Sequence, residues 1–345
     1  MTQKDNEYSD SSRNVGLVEE KSFIYPETFT VDGGYLNGFT LAYETYGELN
    51  AEGNNAILIC HALTGDHHVA GVYSGKDSKP GWWNHVVGPN KSIDTNKFFV
   101  ICSNCLGACR GSTGPSSGSS FDEMHGANFP DLSISDMVRA QKLLLEHLAV
   151  YQLFAVVGGS MGGMQALQWI FEYPDFPKKA IIIAATAQHS VQTIAFNEAG
   201  RRSVTGDPNW KEGNYDIGQG PTNGLSVARM MAHITYLSDR GMEEKFGGEK
   251  RLDSQSDFEF SVQRYLDYQG AKFINRFDAN SYLKLTETLD RFDLVGENGL
   301  SENLKNVEAN TLVIAFSSDW LYTPSQNKNI ARALQSKGKQ ASYIQ

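Results

Sequence analysis

Residues Val156 to Phe171 read VVGGSMGGMQALQWIF, and one serine, Ser160, stands between two pairs of glycines. An apolar run of strand character precedes it and a run of helical character follows. Glycine weakens strands and helices alike, so four of them at such a junction need a reason. A serine at the tip of a sharp strand-to-helix turn supplies one. Its backbone is strained so that Oγ projects from the sheet, and neighbouring segments come so close that only small residues fit two positions before and after it. Gly158 and Gly162 hold those positions, giving G-x-S-x-G. Met161 follows at the start of the helix, where a free N–H and the positive end of the helix dipole can meet a developing oxyanion. Glycine-rich turns also bind phosphates. A dinucleotide site, however, needs G-x-G-x-x-G after the first strand and an acidic residue after the next, and here the motif follows a late strand with the wrong spacing.

The flanking sequence gives the motif its setting. Phe39 to Tyr46 reads as an early antiparallel strand. Ala56 to Cys60, Phe98 to Ser103, Phe154 to Val157 and Ala180 to Ala184 are continuous apolar runs, as expected of parallel strands buried on both faces. Ser133 to Leu148 carries its apolar residues on one helical face, and Ser133 with Asp136 predicts a capping box. Alternating strands and helices imply right-handed crossovers and a doubly wound, mostly parallel sheet. From Gln188 to Val295 the strand rhythm stops. Helical patterns at Leu225 to Leu237, Asp257 to Tyr268 and Asn280 to Phe292 replace it, separated by joints such as GDPNWKEGNY and GQGPTNG. Strand character returns at Thr311 to Phe316, then a helix near Gln326 to Ser336 and a last strand from Ala341. The expected organisation is therefore a mobile tail at 1–20, an α/β core at 21–187 and 296–345, and a helical lid at 188–295.

Composition narrows the function. Across 345 residues, 40% hydrophobic and 20% charged describe an ordinary globular chain, and a net charge of −10 argues against a nucleic-acid partner. No apolar run approaches membrane-spanning length and the polar N-terminus lacks a signal-peptide core, so the expected location is the cytoplasm. Cys102, Cys105 and Cys109 fall in CSNCLGAC, but no further cysteine or histidine completes a ligand set nearby, and small buried thiols are the better reading than a metal site.

If Ser160 is a nucleophile, an acid and a histidine should follow it after later strands. Asp319, in TLVIAFSSDW, lies just past the strand Thr311 to Phe316 and is the candidate acid. The loop after the early strand, AILICHALTGDHH, is placed to give a second oxyanion amide from Leu63. His61, His67 and His68 share that loop but precede the serine, and they read as loop residues.

Taken together, GGSMGGMQALQW, CHALTGDHHVAG, NCLGACRGSTGPSS, DPNWKEGNY, ARMMAHITYLS and YLDYQGAKFINRFDANSYLKLTETLDRFD resemble the homoserine O-acetyltransferase family over about residues 20 to 345. The resemblance implies an α/β-hydrolase fold and a role in methionine biosynthesis, with acetyl-CoA as co-substrate, no bound cofactor or metal, and dimerisation through the lids. It makes Ser160 the nucleophile, Asp319 the triad acid, and Leu63 and Met161 the oxyanion donors. Arg229 matches the arginine that takes the amino-acid carboxylate, for which a planar guanidinium fork is suited. Tyr236 lies in the same substrate-facing segment. The implied mechanism is ping-pong, through an acetyl ester on Ser160 that the hydroxyl of L-homoserine then attacks. Succinyl transfer, a serine acceptor, an esterase or thioesterase, and a noncatalytic binding protein remain as alternatives.

None of the eight histidines follows Asp319, and the last of them is His233. The family pattern puts its catalytic histidine in a G-H-D motif after the final strand, whose aspartate also contacts the substrate amine. The sequence stops at ASYIQ, within that strand. A shortened chain, a substitute lid or loop histidine, and an inactive relative compete as explanations; retention of Ser160, Asp319 and Arg229 favours the first. The expectation is then a chain without turnover, the lost base costing on the order of a millionfold, about 8 kcal/mol, and a bared sheet edge.

Overall fold

The computed structural model describes residues 13–74, 79–117, 126–216, 218–248 and 257–345. Ten strands are seen there: β1 Lys21–Val31, β2 Gly34–Tyr46, β3 Ala56–Cys60, the two-residue β4 Val87–Gly88 and β5 Ile93–Asp94, β6 Phe99–Ser103, β7 Leu153–Gly159, β8 Lys179–Ile183, β9 Asn310–Ile314 and β10 Ala341–Ile344. Eight form one sheet in the order β1-β2-β6-β3-β7-β8-β9-β10, and β4 pairs with β5 apart from it. β1 and β2 run antiparallel to their neighbours. The remaining pairs in the sheet, from β6 with β3 to β9 with β10, are parallel. Every residue of β3 is buried, as its unbroken apolar run requires.

β1 was not anticipated from the sequence. Pro26 sits within it and cannot donate to a ladder. The strand tolerates it because it is an edge strand whose register shifts between Tyr25 and Thr28.

The helices are α1 Ile134–His147, α2 Met161–Glu172, α3 Val191–Thr205, α4 Thr222–Tyr236, α5 Asp239–Phe246, α6 Ser261–Ile274, α7 Ala279–Asp290, α8 Leu300–Asn303 and α9 Pro324–Ser336. α1 begins with the predicted capping box. Ser133 Oγ accepts from the amide of Asp136 at 3.1 Å, and the Asp136 carboxylate accepts from the amide of Ser133 at 2.8 Å. Such a cap is worth about 1 kcal/mol. The same carboxylate accepts from the amide of Asp32 at 3.0 Å, which ties the helix to the β1–β2 turn. α1 packs on α2, where the indole N–H of the fully buried Trp169 donates to Gln141 Oε1 at 2.8 Å, so its polar atom is satisfied inside the core.

Helices α3 to α7 lie between β8 and β9 and differ in how they are held. α5 buries no residue and α6 buries two, whereas α7 buries nine of its twelve. Thr288 of α7 donates to the Leu132 carbonyl at 3.0 Å and Lys284 pairs with Asp131 at 2.7 Å, joining this helix to the α/β part of the molecule.

One expectation changes at the N-terminus. Residues 1–12 of the predicted mobile tail lie outside the described residues. Residues 16–20 are pinned instead: the Val18 amide donates to the Val72 carbonyl and the Val72 amide to the Gly16 carbonyl, each at 3.0 Å, and Glu20 meets His67 at 2.8 Å. The polar composition of this stretch concealed a set of specific partners. Among the described residues no helix is long and apolar enough to cross a membrane.

Candidate active site

Ser160 joins β7 to α2 with φ 56° and ψ −124°. That is a region L-residues rarely adopt, at a cost of roughly 1–3 kcal/mol. Its amide donates to the Ile183 carbonyl of β8 at 3.0 Å, which holds the turn against the sheet. A Cβ on Gly158 would stand 2.1 Å from the Gly162 oxygen, and one on Gly162 would stand 2.0 Å from the Cys60 oxygen. Neither position can carry a side chain. Gly159 is different, since an added Cβ there meets nothing closer than 3.7 Å. The tight approaches fall at the two outer positions of G-x-S-x-G, as the strained turn demands. Met161 opens α2, so its N–H has no acceptor one turn back.

Above this turn lies a cavity of about 600 Å³. Ser160, Asp319 and Tyr322 line its sheet side, and Leu63 and Thr64 enter from the loop after β3. Arg229 and Tyr236 of α4, Phe273 of α6 and Leu289 of α7 close it from above. Five of the six residues singled out from the sequence, Ser160, Asp319, Leu63, Arg229 and Tyr236, therefore border one space. Met161 sits directly beneath, with its side chain buried and its amide at the helix start.

Asp319 follows β9, and its Oδ1 accepts from the amides of Leu321 at 3.0 Å and Tyr322 at 2.9 Å. Burial pushes its carboxyl above the usual range, against the pull of those two amides. Among the described residues no histidine pairs with it. Arg229 donates from Nη1 to Thr64 Oγ1 at 3.1 Å, and its guanidinium lies 4.8 Å from the ring centre of Phe273 and 5.6 Å from that of Tyr236. Among the described residues no carboxylate pairs with Arg229. Arg276 donates to the Thr64 carbonyl at 2.7 Å, and burial together with nearby Arg229 lowers its pKa. Two guanidiniums thus flank Thr64 with positive charge that a bound carboxylate would offset.

The histidines of the loop after β3 brace it. The Cys105 amide donates to His61 Nε2 at 3.0 Å, so that nitrogen carries no proton, and Nδ1 donates to the Ala62 carbonyl at 2.8 Å. His68 Nδ1 lies 3.1 Å from Glu44, a fully buried carboxylate that also accepts from the hydroxyls of Tyr46 and Tyr73. His67 packs beside them, and burial lowers its pKa against the opposing charges of Glu44 and Glu20. The loop that carries Leu63 is consequently held from beneath by paired polar groups. The four thiols are free, and Cys109 accepts from the Asp278 amide at 3.1 Å.

Three groups near Ser160 were not singled out from the sequence. Tyr322, a hydroxyl-bearing residue three past Asp319, lines the same cavity as Ser160. Behind it, His189 Nε2 lies 3.3 Å from the same hydroxyl, and His189 Nδ1 lies 3.1 Å from Asp290. The SSDWLY segment could have suggested the tyrosine. Nothing in the spacing links positions 189 and 290.

The profile of the family described as alpha/beta hydrolase fold matches residues 55–342. A homoserine O-acetyltransferase of Methanohalobium evestigatum is 52% identical over 339 residues, covering 96% of this chain and 69% of that one. One from Leptospira meyeri is 47% identical, covering 100% and 90%. Among solved structures, the homoserine O-acetyltransferase from Bacillus anthracis superposes with a TM-score of 0.86 at 31% identity, over 95% of this chain and 90% of that one. Esterase E22, as its L374D mutant, superposes at 0.87 with 30% identity, over 95% and 92%. With a strained serine at the strand-to-helix turn, a matching profile over most of its length and relatives at about half identity over nearly all of this chain, the chain belongs to the homoserine O-acetyltransferase family of the α/β-hydrolase fold.

Proposed function

We propose that the protein transfers the acetyl group of acetyl-CoA to the hydroxyl of L-homoserine, giving O-acetyl-L-homoserine for methionine biosynthesis. The observation that carries this reading is the cavity itself, where a projecting serine at one wall faces an arginine that has no carboxylate partner among the described residues. Ser160 is the nucleophile. It attacks the thioester carbonyl, CoA leaves as the thiol, and the acetyl group stays as an ester. The amides of Leu63 and Met161 take the oxyanion, in a setting where preorganised donors lower the barrier by roughly 3–4 kcal/mol each. Asp319 is the triad acid. Arg229 holds the acceptor carboxylate with Tyr236 beside it, so that the homoserine hydroxyl reaches the ester. The helices over the cavity act as a lid that limits water, which separates transfer from hydrolysis.

No bound cofactor enters the scheme, and we place the protein in the cytoplasm. Val227, Ile234 and Tyr268 are exposed on α4 and α6. These apolar side chains support a homodimer formed through the helical cover.

The test is incubation with acetyl-labelled acetyl-CoA, with and without L-homoserine. Label should appear on Ser160 by peptide mass spectrometry and leave as O-acetyl-L-homoserine when the acceptor is added. Release of acetate at the same rate with and without acceptor would instead identify a hydrolase, the activity named for the esterase of like fold.

A further inference from the structure

The Leu63 amide belongs to a β-turn at the cavity wall, and the hydrogen bonds of that turn all run one way. The Gly65 amide donates to the Ala62 carbonyl at 2.8 Å, which makes Leu63 and Thr64 the two central residues. Among the described residues the Leu63 N–H itself meets no acceptor. In a trans peptide the N–H and C=O point opposite ways, so the Ala62 carbonyl sets the direction of the Leu63 N–H. Both lone pairs of that oxygen are taken, one by Gly65 and the other by His61 Nδ1 at 2.8 Å. The same rule holds one peptide further on. With the Gly65 N–H facing Ala62, the Thr64 carbonyl faces the other way, and there Arg276 Nη1 donates to it at 2.7 Å. Two peptide dipoles therefore stand in line, oxygen end toward the guanidinium and the last N–H, that of Leu63, at the far end. An added Cβ on Gly65 would stand 2.9 Å from His61 Cβ, so the last residue of the turn has no room for a side chain.

Arg276 is secured on its own side. It follows α6, and its amide and that of Phe277 donate to the Phe273 carbonyl at 3.0 and 3.1 Å. Its guanidinium lies 5.4 Å from the Phe273 ring centre. Two residues on, Asp278 caps α7, the helix joined to the α/β part of the molecule. Asp66, an acid that acts on Arg276, pairs with Arg110. We propose that Arg276 is a positioning residue for the oxyanion: it fixes the Ala62–Gly65 turn and polarises the Leu63 N–H through two aligned peptides. The proposal rests on Ser160 as the nucleophile and Leu63 as an oxyanion donor. A cation at the oxygen end of a peptide draws charge from its N–H, and each hydrogen bond in series hands part of that effect on. The gain is largest when negative charge develops opposite the last N–H, so it favours the transition state over the bound substrate. Arg276 does not border the cavity, and its action on the reacting atoms must run through the turn.

The experiment is an NMR spectrum of the 345-residue protein isotope-labelled at alanine carbonyls and leucine amides, which shows alanine–leucine peptides alone. These are Ala62–Leu63, Ala166–Leu167 and Ala333–Leu334. Ser160 is then phosphonylated with a fluorophosphonate ester, which needs neither acetyl-CoA nor homoserine and puts an oxygen at the oxyanion position. In wild type the adduct should move the Leu63 peak downfield. Arg276→Ala should move that peak upfield and leave the other two in place. It should also lower the limiting rate of phosphonylation on the order of tenfold, less than outright loss of a donor, with the half-saturating reagent concentration unchanged. Arg276→Lys, which keeps a charge and a donor, should recover most of both effects. If Arg276→Ala disturbs all three peaks, Arg276→Gln takes its place. The proposal is overturned if the adduct moves the Leu63 peak in wild type but the substitution leaves that peak, or the rate, unchanged. Folded wild type that takes no label would instead sink Ser160 as the nucleophile, and an adduct that leaves the peak still would sink Leu63 as the donor. The role of Arg276 would fall with either.

Discussion

The floor and the roof of the cavity are built on opposite terms. The floor is β7 with α2, where ten of twelve helical residues are buried and two glycines are in backbone contact. The roof is α4 to α6, where α4 buries four of fifteen residues and α5 none. Position is fixed where the proposed nucleophile sits, and the side proposed to meet the acceptor is lightly packed. Local opening costs least where few apolar contacts are lost. The roof should therefore be where substrates enter, while the serine keeps its geometry throughout. α7 is the exception that ties the two, buried like the floor yet ending at Asp290 under the roof.

Substitutions on the two sides should separate cleanly. The largest effect belongs to the floor: Ser160→Ala should abolish acetyl labelling of the protein by acetyl-CoA, read by intact mass, with an unchanged urea midpoint. Next come the glycines. Gly162→Ala places a Cβ against the Cys60 carbonyl and should destabilise by at least about 3 kcal/mol, whereas Gly159→Ala should cost under about 1 kcal/mol. Equal costs in urea denaturation would show that the turn is not sterically determined.

On the roof, Arg229→Ala should raise the KM for homoserine by roughly 10- to 100-fold, the loss of a charge-assisted pair, while acylation from acetyl-CoA changes little. Equal loss in both half-reactions would mean that the arginine supports the lid as a whole. The smallest effect is in pH. His233 of α4 has its pKa lowered from the ordinary 6.5 to about 4, first by burial and then by Arg229, Lys245, Arg276 and Lys272. The folded protein thus resists a proton that the unfolded chain accepts, and stability from this group is present above pH 6.5 and lost as pH falls toward 4. In His233→Asn the urea midpoint should fall less between pH 7 and pH 5 than in wild type.

The floor was also the legible half. The run AILIC, the Ser133–Asp136 cap and the glycines around Ser160 each carry their reason within a few residues, and observed bounds lie within a few positions of those expected. Ser160 and Asp319 could be singled out because each lies just beyond a recognisable strand. β1 was hidden by Pro26, whose penalty disappears at a bulged edge strand. α3 and α5 were hidden because few of their residues are fully buried, α3 burying only Thr193, Gly200 and Val204 and α5 none, so no apolar stripe repeats along them. The Tyr322–His189–Asp290 series could not be read at all. Its central contact spans 101 residues of sequence and exists because the segment after α7 pairs with the segment after β8, Asp293 opposite Gln188.

The contact of Gly162 with the Cys60 carbonyl has a mechanical consequence. It presses the first turn of α2, with the Met161 amide, onto the end of β3, from which the chain runs directly to Leu63. The two amides proposed for the oxyanion are thus clamped to a common anvil. Slackening one without the other would require prising apart two backbones that touch, so warming or mild denaturant should abolish the pair in a single step, together with the central strands.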